Sequence, residues 1–93
     1  MRANDVLELD IRKQDNLRYG WNLSRADGRV VDNGVELYIA DCLAIASVGL
    51  DLYTRLSVTV GGRRVGEFVA ARTQWETSDV AREIAQALLT RRT

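Results

Sequence analysis

Histidine and proline are both absent from this chain, and cysteine occurs once. Without histidine the commonest general base and the commonest transition-metal ligand are missing together. Ser24, Ser47 and Ser57 then have no imidazole to activate them, and nucleophilic catalysis finds no support. Without proline there is no rigid linker and no polyproline ligand segment. The single Cys42 cannot close an internal disulfide, and its apolar neighbours suit a small buried hydrophobe. Neither sign of charge is in excess: 13 Lys and Arg face 13 Asp and Glu. That balance, with a sequence pI of 6.2, weighs against a strong nucleic-acid binder. The longest weakly polar run, Ile39 to Leu50, contains Asp41 and is too short to span a bilayer. Met1-Arg2-Ala3-Asn4-Asp5 offers no apolar region to a secretory signal, so a cytoplasmic location is the expectation.

What is present is the makeup of one globular domain covering residues 1–93, since 46% of the chain is hydrophobic. Leu7, Leu9 and Ile11 alternate with Glu8, Asp10 and Arg12, which reads as a half-buried strand. Lys13-Gln14-Asp15-Asn16 turns the chain. Leu17, Tyr19, Trp21 and Leu23 then share a face, so burial of the aromatics, Tyr38 included, is favoured over exposed stacking platforms. Asp27-Gly28 is a strong turn signal. Val30-Val31 opens a third strand that Asp32-Asn33-Gly34 leaves short or bulged. From Ala40 the spacing becomes three and four residues, which predicts a helix over Ala40–Val48 with both flanks buried and Gly49 ending it.

Residues 51–93 form the second part. Leu56, Val58 and Val60 alternate, Gly61-Gly62 turns the chain, and Val65–Arg72 reads as the returning strand. A two-residue loop would pair Val60 with Arg63 and set Val65 beside Val58. A three-residue loop would set Phe68 on the face of Leu56, and the pattern leaves this register open. Thr77 or Ser78 can cap a last helix whose buried stripe is Val80, Ile84, Ala87 and Leu88. The expected class is α+β: an antiparallel sheet of about five strands with two helices on one face, in the order β-β-β-α-β-β-α. Residues 1–50 supply a meander and helix, residues 51–93 a hairpin and helix.

Tyr19-Gly20-Trp21-Asn22-Leu23, Asp27-Gly28-Arg29-Val30-Val31, Glu36-Leu37-Tyr38 and Ile45-Ala46-Ser47-Val48 together resemble the YegP-like family of small bacterial β-β-β-α repeat proteins. The resemblance covers residues 17–48, with a shorter interval between Tyr38 and Ile45. It implies a fold and no activity.

The candidate surfaces lie in the second half. Arg63 and Arg64 beside the glycine turn could meet a phosphate or simply face solvent. Trp75 stands outside any core stripe, as a partner-binding anchor or as a staple packing near Val80 or Leu56. Asp10, Asp15, Asp27, Asp32 and Glu36 show no diagnostic metal or acid–base spacing, and several sit in turns. Residues 1–53 hold six basic and nine acidic side chains, residues 54–93 seven and four, so the halves carry −3 and +3. The expectation is a non-enzymatic protein-interaction module without a cofactor, taking a protein partner or a second copy at an exposed sheet edge, with Arg63, Arg64, Arg72 and Trp75 at the contact. Such a module could be an adaptor, or an inhibitor of a bacterial or phage complex. The alternative is nucleic-acid binding through Arg63, Arg64, Arg72, Arg91 and Arg92.

Overall fold

Alternation decides which way each strand faces, and the register aligns the apolar faces. In the computed structural model, which describes residues 6–90, the elements are β1 (Val6–Lys13), β2 (Tyr19–Arg25), β3 (Val30–Glu36), α1 (Ile39–Ser47), β4 (Arg55–Val60), β5 (Arg63–Val69), α2 (Ala70–Trp75) and α3 (Thr77–Leu89). Across one row of the sheet lie Leu23, Leu9, Val58 and, two positions on, Trp21, Ile11 and Val60. Leu7, Leu56 and Phe68 make the next row. Leu43 and Ala46 of α1 and Val80 and Ile84 of α3 join these rows in one core. Burying each Leu, Ile or Val of that set is worth roughly 1.5–3 kcal/mol.

The strands form one sheet in the order β3-β2-β1-β4-β5. All pairs are antiparallel except β1 with β4, which run parallel. This departs from a purely antiparallel sheet. The return from the β3 edge to the far side of β1 runs through α1, the kind of crossover a parallel neighbour requires. With the chain's radius of gyration at 12.3 Å, against about 12 Å for one compact domain of this length, both halves share a single globule.

The second half also differs in its helices. β5 stops at Val69, and Ala70–Trp75 turns into a short helix where a strand over Val65–Arg72 was expected. Backbone N–H groups of Ala70 and Ala71 donate to the carbonyls of Thr54 and Leu52, which ends the strand by turning it over the sheet end. Thr77 is the first residue of α3 and caps nothing; its hydroxyl donates to the carbonyls of Thr73 and Gln74, joining α2 to α3. Val80 and Ile84 are buried as expected, while Ala87 and Leu88 are half-buried.

The hairpin register combines both alternatives. Gly61 and Gly62 take φ of 60° and 85°, the paired left-handed conformation that a two-residue turn demands, and Val60 faces Arg63. A bulge between Val58 and Thr59 then absorbs Val65, which puts Phe68 opposite Leu56. Phe68 thereby reaches the core.

Three apolar expectations fail at the first half's surface. Leu17 lies in the turn before β2 and is 74% exposed. Tyr38 precedes α1 and is 66% exposed. The flanks of α1 are not both covered: Tyr38, Asp41, Ile45 and Val48 form an outward stripe along it.

Candidate functional site

The helices cover one face of the sheet and leave the other open, so the second face and the two edges are where a ligand could approach. On the open face the register lines up Asn33, Asn22, Asp10, Thr59 and Arg64 from β3 to β5. Trp21 and Phe68 point to the helix side, and no aromatic residue lies among the open-face positions of the strands. That face therefore has no stacking platform for a base. A shallow hollow of about 270 Å³ lies over Asp10, Arg12, Gln14, Asn22 and Asn33. Arg12 Nε donates to Asp10 Oδ2 at 2.9 Å, while Oδ1 is shielded and unpartnered. Among the described residues no three His, Cys, Asp or Glu side chains gather as a metal site would need.

The carboxylates at the turns do local work. Asp15 accepts from the side chain of Arg18 and from the Leu17 and Arg18 amides, and those bonds, the Arg18 side chain first, hold it below the usual carboxylate range. Asp27 accepts from the Arg29 amide and shapes the turn into β3. Burial, helped by Glu36 and Asp41, pushes the Cys42 thiol up to about 12, so it carries no thiolate at neutral pH.

The expected contact residues do not converge. Arg63 and Arg64 stand at the hairpin start of β5, whereas Arg72 and Trp75 belong to α2 beyond its far end. The sheet itself separates them: Arg64 lies on the open face beside Thr59, whereas Arg72 lies over the Phe68 ring on the helix side. Arg64 donates to Ser57 Oγ and Glu67, and Arg72 is held by Glu76 at 3.0 Å and Glu83 at 2.7 Å above the ring of Phe68. Trp75 is 71% exposed beside Glu76, Thr77, Ser78 and Asp79, so it staples nothing in the core. Arg91 and Arg92 lie outside the described residues.

Comparison with known proteins returns no matching family model, no matching curated protein and no matching solved structure.

The two sheet edges differ in chemistry. Both edge strands are bulged, β3 at Val31 and β5 at Val65, but β5 carries Arg63, Arg64 and Glu67 and exposes no large apolar side chain. β3 presents Val30, Val31 and Val35 to solvent along its length. The exposed apolar surface continues past its end, where Leu17, Leu37 and Tyr38 line a second hollow with Tyr19, Asn16 and Lys13. Sequence reasoning bypassed this edge, because Val30, Val31 and Val35 look like core residues until their position in the sheet is known. One sign was legible in it: no Lys or Arg occurs between Arg29 and Arg55, while Asp32, Glu36, Asp41 and Asp51 do.

Proposed function

We propose that this chain is a non-enzymatic protein-interaction module that binds its partner by strand addition at β3. The observation that carries it is the terminal position of β3 in the sheet, with Val30, Val31 and Val35 exposed along a seven-residue edge. An unpaired edge offers main-chain donors and acceptors to an extended segment, and neighbouring apolar pockets add selectivity. Leu17, Leu37 and Tyr38 supply such a pocket beside the strand's end. An adaptor or an inhibitor of a larger complex would both use this mode.

Nucleic-acid binding ranks below it. Arg64 and Arg72 are engaged with carboxylates, and the open sheet face has no aromatic residue to stack on.

The test is capture from a native lysate with three baits: the parent chain, Val35→Lys, and the pair Arg63→Ala with Arg64→Ala. A lysine at the exposed Val35 position blunts the edge without touching the core. A protein retained by the parent and by the arginine variant, and lost with Val35→Lys, is the expected result. Retention of nucleic acid that disappears with the arginine variant would replace this function with the alternative.

A further inference from the structure

Strand addition leaves open what the incoming strand carries, and the alternation of β3 restricts it. Asp32 and Glu36 lie on the helix side, opposite Leu23 and Tyr19, with Gly34 between them opposite Trp21. Asn33 and Val35 lie on the open side, opposite Asn22 and Gly20. Asp32 accepts from the neighbouring Asn33 amide, and Glu36 accepts from the Trp21 indole at 3.3 Å. Neither carboxylate is in an ion pair among the described residues. Two acidic groups four residues apart therefore flank whatever strand pairs outside β3.

Resting on the strand-addition function above, we propose that the partner is an extended segment of a different protein with two basic residues four apart and an apolar residue beside each. Opposite charges on directly paired residues stabilise a strand pair, and like charges oppose it. The basic side chains would face Asp32 and Glu36, and the apolar ones would cover Val35 and the exposed Val31 at the bulge of β3. A second copy of this chain does not supply that pattern. Its β3 brings the same two carboxylates, and in its β5 the position four residues after Arg63 is the acidic Glu67.

The experiment titrates the isotope-labelled full chain with three octapeptides, read by amide shifts and by affinity. The first is Thr-Lys-Val-Thr-Thr-Lys-Val-Thr; the second replaces both lysines by Glu; the third is the first with alternate amides N-methylated. Val and Thr favour an extended strand in all three. The expected result is β3 shifts with the lysine peptide, roughly tenfold tighter binding than the glutamate peptide, and a gap that narrows with salt. Asp32→Asn combined with Glu36→Gln should close the gap, because both variants keep the acceptors used by Asn33 and Trp21. Equal binding of both charged peptides at β3 overturns the partner chemistry and leaves strand addition standing. Full binding of the N-methylated peptide overturns strand addition while the charge preference is still read from the other two. Absence of β3 shifts with every peptide, or shifts confined to Arg63 and Arg64, overturns both.

Discussion

At Gly34 an added Cβ would sit 2.8 Å from the indole nitrogen of Trp21, a ring that is 3% exposed and part of the core. Gly20 meets a similar distance, 2.9 Å, but from the amide end of Gln14, an exposed and flexible side chain. The two glycines should respond oppositely to the same methyl group. Gly34→Ala overpacks the face where Trp21 crosses β3 and should cost about 1–3 kcal/mol, with a lowered urea midpoint. Gly20→Ala displaces Gln14 into solvent and should change the midpoint little, since alanine also removes backbone freedom from the unfolded chain. A midpoint for Gly34→Ala equal to the parent's would show that the ring is free to move. Little of this was legible from residue types. Asp32-Asn33-Gly34 looks like a turn, and only the pairing of Gly34 with Trp21 gives the glycine its purpose.

Local pattern reaches the elements better than it reaches single residues. Strict alternation in β1 and β4 and the three-and-four spacing of α1 and α3 placed those elements within one or two residues of their bounds, because each has one face committed to the core. α2 was missed for a physical reason. Val69-Ala70-Ala71-Arg72 is apolar enough to continue a strand, and the bonds that bend it come from the distant carbonyls of Leu52 and Thr54. The candidate edge was missed similarly, since strand order is set by tertiary packing. The α2–α3 junction has its own testable feature in Arg72, which bridges Glu76 within its turn and Glu83 on α3. The bond to Arg72 holds Glu83 below its ordinary value of 4.5, so the folded state binds this proton less readily than the unfolded chain. The linked stability is present above that ordinary value and is lost as pH falls through the lower folded one. Arg72→Met should therefore lower the urea midpoint at neutral pH and lose that effect at an acid pH below the folded value of Glu83, where parent and variant converge. An equal effect at both pH values would assign the loss to packing over Phe68.

For the whole molecule, the decisive feature is that β1 belongs to both halves. It pairs with β2 on one side and with β4 on the other, and Leu9 sits between Leu23 and Val58. The order of elements suggests a meander with its helix followed by a hairpin with its helix, as if two units had been joined end to end. The parallel contact contradicts such independence. Removing residues 51–93 would strip one edge of β1 of its hydrogen bonds and expose Leu7, Leu9 and Ile11 where Leu56, Val58 and Val60 had flanked them. It would also uncover the side of α1 that packs against α2, where Ser47 and Thr73 hydroxyls bond each other and Gln74 donates to the Ser47 carbonyl at 2.7 Å. A fragment of about 50 residues is already near the lower limit for an independent core. Residues 1–50 alone should give the circular dichroism of an unfolded chain, and equimolar addition of residues 51–93 should restore strand and helix signal. The full chain should unfold in one transition seen alike by tryptophan fluorescence and far-ultraviolet dichroism. A folded 1–50 fragment would make the halves autonomous and β4 an added strand. That outcome would also show that the sheet has already accepted one extended segment beside β1, the same kind of event proposed for β3 at its other end.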